Sequence, residues 1–144
     1  MALQESWGYR YGRSEIVRRL VGNTGAITAG DMLTKDGAGD QYVMRAVAGS
    51  NTLVGVAMES CAAPTADGDL SIEVEISDDA VFEYPADAGT VSAALIQKTM
   101  DVGGRQSIDI DASADDIVEV IDVDTRRNSV LVKLYFKTGK SGVA

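Results

Sequence analysis

The residues with most capacity for chemistry in this chain are its carboxylates, 22 Asp and Glu against 13 Lys and Arg in 144 residues. The densest run, residues 109–116 (DIDASADD), sets Asp109, Asp111, Ser113 and Asp115 at alternate positions, as a calcium loop would. Such a loop needs glycine at its sixth position and glutamate at its twelfth; here these are Ala114 and Val120. The run therefore predicts an acidic loop and no metal site. Two carboxylates held across a cleft could hydrolyse a glycoside if burial raised one pKa. The acids here instead alternate along strand-like stretches or occupy turns, positions typical of a solvated face. The chain has no histidine, which removes Ser-His-Asp and Cys-His catalysis, the usual zinc sites and the commonest general base. Residues 22–30 (GNTGAITAG) lack the Gly-Lys-Ser/Thr ending of a phosphate-binding loop, and residues 37–42 (GAGDQY) lack the third glycine of a dinucleotide fingerprint. Neither a catalytic residue nor a cofactor is predicted, and the sequence points away from an enzyme.

Binding residues are easier to nominate. Residues 1–13 (MALQESWGYRYGR) hold the only tryptophan and two of five tyrosines, without helical or core-strand patterning. Trp, Tyr and Arg concentrate binding energy at interface centres. Trp7, Tyr9, Arg10, Tyr11 and Arg13, with Arg18 and Arg19 beyond them, are thus the candidate contact residues of an extended arm over residues 1–14. Packing of this arm over a sheet, or stacking of its aromatics on unpaired bases, are the alternatives. The net charge of −9 is unevenly placed: residues 46–97 carry nine acids and no Lys or Arg. So acidic a body repels phosphate, which argues against nucleic acid as a partner. No apolar run approaches the ~20 residues that span a bilayer and no leader pattern is present, so a soluble protein made in a cytosol, without a membrane partner, is expected. The single Cys61 excludes an internal disulfide and reads as a small, partly buried thiol.

The elements that must position these residues read as strands. Val, Ile, Ala and Thr are frequent, and turn residues recur at short intervals. A strand starts at Gly30-Asp31 and is closed by residues 36–40; others are predicted at 41–48, 52–60, 70–76, 80–84, 91–96, 106–110, 117–123 and 130–136. Residues 15–21 fit a short strand or a turn and a half of helix. In 70–76, Leu70, Ile72, Val74 and Ile76 share one face, leaving Ser71, Glu73 and Glu75 facing outward. The alternation slips at Val120-Ile121, which implies a bulge or two covered faces. Asp67-Gly68 and Gly103-Gly104 read as turns, and residues 112–116 as one helical turn. The expected architecture is all-β: a single compact β-barrel or a jelly-roll-like or β-tulip sandwich over residues 15–137, with the arm before it and a flexible tail at 138–144.

One further pattern runs through most of the chain. Ala29-Gly30-Asp31-Met32-Leu33, a glycine-containing turn, residues 42–47, Leu53-Val54-Gly55-Val56-Ala57, Gly68 followed by LSIEVEI, and then VFEYPADAGTV occur in that order. Over residues 26–136 this order resembles the head decoration, or cement, proteins of tailed bacteriophages. The resemblance implies a non-enzymatic protein made in the host bacterial cytoplasm and resident on the outer capsid surface of the virion. It further implies a homotrimer at local three-fold positions that clamps neighbouring major capsid protein subunits. No catalytic residue is carried over, and the arm contacts rest on residue type alone. The alternatives are a tail, neck or receptor-binding β module using residues 36–40 or 62–68, and a trimeric barrel enzyme acting on nucleotides. The missing histidine and lack of a basic phosphate pocket disfavour the last.

Overall fold

The computed structural model describes residues 7–36, 39–50, 52–111 and 117–134, with backbone only at 36, 39 and 40. The described residues form β1 (Gly8–Tyr11), β2 (Ile16–Val21), β3 (Met32–Asp36), β4 (Gly39–Arg45), β5 (Gly55–Ala57), β6 (Ser71–Glu75), β7 (Val81–Pro85), β8 (Thr99–Gly104), β9 (Ser107–Asp109), β10 (Val118–Asp124) and β11 (Ser129–Leu134). The all-β expectation holds, barrel included.

Strands β2-β4-β3-β5-β6 close into a barrel, and β1-β7-β11-β10-β8-β9 form a six-stranded sheet. Every ladder is antiparallel except β2–β4. The sheet curls until β9 meets the end of β7, through a parallel bridge between Ala86 and Ile108 and a 2.9 Å hydrogen bond from Asp87 N to Ile108 O.

Side-chain alternation lets two strands serve both bodies. Leu33 and Ala57 point into the barrel cluster with Val21, Val43, Ile72 and Val74. Their neighbours Met32 and Val56 point the other way, into the larger cluster built on Phe82, Tyr84, Ile108, Val118 and Val132. Strands β3 and β5 are thus a shared wall. Fully burying such a side chain is worth about 1.5–3 kcal/mol, so the wall couples the two bodies strongly.

A polar clasp closes the same junction. Asp31 is fully buried and accepts hydrogen bonds from Thr28 N (2.8 Å), Arg105 Nη2 (2.7 Å), Arg105 Nε (3.0 Å) and Gln106 Nε2 (2.9 Å). Met32 N donates to Arg105 O at 2.8 Å, tying the β8–β9 turn to the start of β3. Tyr84 Oη donates to Gly30 O at 2.6 Å. Gly30 has φ +96°, and a Cβ there would lie 2.4 Å from Trp7 O. Only glycine lets the two backbones pass so closely.

Of the two readings left open for residues 15–21, the structure gives the strand. Several other expectations are corrected. Residues 91–96 are a 3-10 turn, Ala93–Leu95, because Ser92 caps it by accepting from Ala94 N. The 52–60 strand shrinks to Gly55–Ala57. Gly103-Gly104 is no turn: it ends β8, and the reversal follows at Arg105-Gln106. A Cβ at 103 would sit 2.6 Å from Asp87 Oδ2, so any larger residue there would displace the exposed Asp87 side chain. Glu75, expected outward, is fully buried, because residues 14 and 15 cross over it and Ser14 Oγ, Glu15 N and Ser77 N all donate to its carboxylate. The slip in β10 is a register shift between Val120 and Asp122, hence a bulge. The helical turn at 112–116, the tail at 138–144 and the end of the 130–136 strand lie outside the described residues.

Candidate functional site

The first candidate residues sit where barrel meets sheet. The segment read as an arm without strand patterning enters the sheet as its edge strand: Gly8 pairs with Glu83, Tyr9 with Phe82 and Tyr11 with Val81, with a shift between Tyr9 and Tyr11. The bulge and the positive φ of Gly8 and Gly12 hide the two-residue period that would mark this strand in the sequence. Arg127 stacks over the Trp7 ring, its Cζ 4.2 Å from the centroid. Arg127 Nη1 donates to Glu83 Oε1 at 2.9 Å, and Arg10 Nε donates to the same oxygen at 2.8 Å. Ser129 Oγ donates to Glu83 Oε2. Tyr9 meets Phe82 edge-on at 6.2 Å and donates its hydroxyl to Gly12 O at 2.6 Å. Trp7, Tyr9 and Arg10 therefore hold β1 in place. A stack of this kind contributes about 0.5–2 kcal/mol, and a hydrogen bond to a charged group about 1.5–3. One side of Trp7 and Tyr9 remains open to a shallow groove of about 190 Å³ shared with Ala29, Gly30, Ala57 and Met58.

The remaining candidates follow along the chain. Tyr11 is 52% exposed and Arg13 is exposed. On β2 the outward row is Ile16 (46% exposed), Arg18 and Leu20 (40%). Arg18 pairs with Glu59 at 3.3 Å and Glu73 at 4.0 Å, solvent-exposed contacts worth at most about 1 kcal/mol. Arg19 lies on the opposite, less exposed face and donates to Arg18 O at 3.2 Å. The seven candidates thus divide into three that build the junction, three that are exposed on residues 11–20, and Arg19 at a cleft beside β2. Ile16 and Leu20 were missed as surface residues. Alternation in EIVRRLV groups them with Arg18 once the strand, one of the two readings left open for this segment, is taken.

Among groups with shifted acidity, Asp87 is raised from the usual carboxylate range by partial burial and by the charges of Asp109 and Asp111. Burial also raises the Cys61 thiol, with Glu59 adding to it. Tyr84 is pushed well up by complete burial and by Asp31. In the acidic run, Asp111 N donates to Asp109 Oδ1 at 3.1 Å; residues 112–116 lie outside the described set. Among the described residues no group of three or more His, Cys, Asp or Glu is gathered for a metal, and no helix is long and apolar enough to cross a membrane. Comparison with family models, with curated proteins and with solved structures returned no match.

Proposed function

We propose that this protein is a capsid decoration protein of a tailed bacteriophage, binding the outer surface of the head as a trimer at local three-fold positions and clamping major capsid subunits. The observation that carries the reading is the exposed run of Tyr11, Arg13, Ile16, Arg18 and Leu20, which leads from the junction strand β1 straight onto the barrel strand β2. An aromatic, two aliphatics and two arginines exposed along this one ridge of chain match the composition of protein-binding surfaces. The ridge is anchored at both ends, by Glu83 with Arg10 and Arg127 on one side and by the β2–β6 ladder on the other. Anchoring removes ordering cost from binding. A capsid repeats one acceptor surface many times, so a trimer gains by multivalency even when each ridge binds weakly. The acidic remainder, net −9, keeps decorated particles apart.

Cosedimentation with expanded heads that lack their decoration protein tests the reading. The protein is expected to pellet with the shells and to raise their thermal rupture temperature. Failure to pellet with shells that bind their own decoration protein would overturn it.

A further inference from the structure

Strands β2 and β4 are joined by only two pairs, Leu20 with Tyr42 and Val21 with Val43. On its other side β2 is paired with β6 along its length, from Ile16 with Glu75 to Leu20 with Ser71. Residues 16–19 therefore have no partner strand on the β4 side among the described residues. The direction of their peptide groups follows from alternation. Val21 N donates to Leu70 O, toward β6, and Gly22 N donates to Val43 O, toward β4. Even-numbered residues thus face β4, and Ile16 and Arg18 present their N–H and C=O groups to the gap. The bond from Arg19 Nη1 to Arg18 O fits this direction.

Beside the gap lies a cleft of about 320 Å³ lined by Arg18, Arg19, Leu20, Gln41, Val43 and Val54. Val43 and Val54 make its wall apolar. Arg19 shares the inward parity of Val17 and Val21, and no described carboxylate forms an ion pair with it. Among the described residues an open strand edge, an apolar wall and the Arg19 guanidinium thus meet at one place, while Arg18 beside them is already paired with Glu59 and Glu73.

We propose that this gap receives a short, extended, acidic peptide segment of a partner protein, added as a strand beside β2. The peptide backbone continues the interrupted β2–β4 ladder at Ile16 and Arg18, as in recognition by strand addition. Two of its side chains, two residues apart, face inward: an apolar one against Val43 and Val54, and a carboxylate that accepts both forks of Arg19. The occupant is identified by charge complementarity and by the open edge together, and the inference does not depend on the partner being a capsid.

The test uses the full chain and NMR titration with acetyl-Val-Thr-Glu-Thr-Val-amide. The amide signals of Ile16, Arg18, Gln41 and Val54 are expected to move together. Replacing the central Glu by Gln, or methylating the two Thr nitrogens, is expected to weaken binding about tenfold each, the worth of one charge-assisted bond or a pair of backbone bonds. Arg19→Gln is expected to abolish the preference for Glu over Gln while leaving the rest of the spectrum in place. No movement of these four signals would overturn the proposal. Equal binding of the Gln peptide would remove the acidic specificity, and undiminished binding of the methylated peptide or equal shifts with acetate alone would reduce the site to a surface anion contact; each overturns it. If Arg19→Gln fails to fold, the wild-type titrations decide.

Discussion

Replacing Asp31 by Ala is the sharpest test of how the two bodies are held together. The carboxylate is fully buried and takes four hydrogen-bond donors from three residues, two of them on the β8–β9 turn. Removing one partner of a fully buried ion pair costs about 3–5 kcal/mol. The Arg105 side chain is 37% exposed, so its guanidinium can turn to water, which lowers the cost. Thr28 N and Gln106 Nε2 also lose their acceptor, adding back about 1 kcal/mol each. The expected loss for Asp31→Ala is therefore about 3–4 kcal/mol, a fall in Tm of roughly 6–16 °C for a chain of this size. Urea unfolding of Asp31→Ala, Arg105→Ala and the double variant measures it. The two sites should be coupled by about 1–2 kcal/mol in the cycle. A loss below about 1 kcal/mol for Asp31→Ala, or strict additivity, would refute the claim that this clasp locks barrel to sheet.

Four further outcomes are expected. Gly30→Ala places a Cβ against Trp7 O at positive φ and should cost about 2–3 kcal/mol in urea unfolding, from strain and loss of close packing. Deleting residues 1–12 removes β1 along with two partners of the network around Glu83 and Arg127, and should lower the unfolding midpoint substantially. Tyr11→Ala and Leu20→Ala leave stability within roughly 0.5 kcal/mol, as exposed positions do, yet weaken binding to shells. Asp87 has a raised pKa in the folded state, so its contribution to stability is full below the ordinary carboxylate range and is lost as pH rises through the raised value. Asp87→Asn should therefore be slightly more stable than wild type at neutral pH, by roughly 0.5 kcal/mol or less for so exposed a group, with the gap closing in pH-resolved unfolding as pH falls below that range.

The strand content was largely legible because β6 and β11 alternate cleanly: Ile72 and Val74, like Val130, Val132 and Leu134, are buried where their period places them. What misled was context that period alone does not carry. Glu75 sits in an outward position, but a crossing segment covers it and supplies three donors. Gly103 and Gly104 look like a turn, yet they lie in strand β8 with the Asp87 and Ser107 side chains packed beside them. Strand β8 went unseen behind those glycines. The division into barrel and sheet depends on which face of β3 and β5 meets which core, and runs such as Met32-Leu33 and Val56-Ala57 are apolar on both faces. Among the candidate residues, type singled out Trp7, Tyr9 and Arg10 as contacts to a partner, whereas the contacts the structure gives them are to Phe82, Glu83 and Arg127 of the same chain. No local signal in residues 1–13 points to partners seventy or more positions away.

The proposed role is tested most directly by cryo-electron microscopy of expanded, undecorated phage heads incubated with the purified protein. The account predicts added density at the local three-fold positions of the outer surface, with three copies at each and the β1–β2 ridge turned toward the capsid floor. Shells that remain bare, under conditions where their own decoration protein binds, would contradict it.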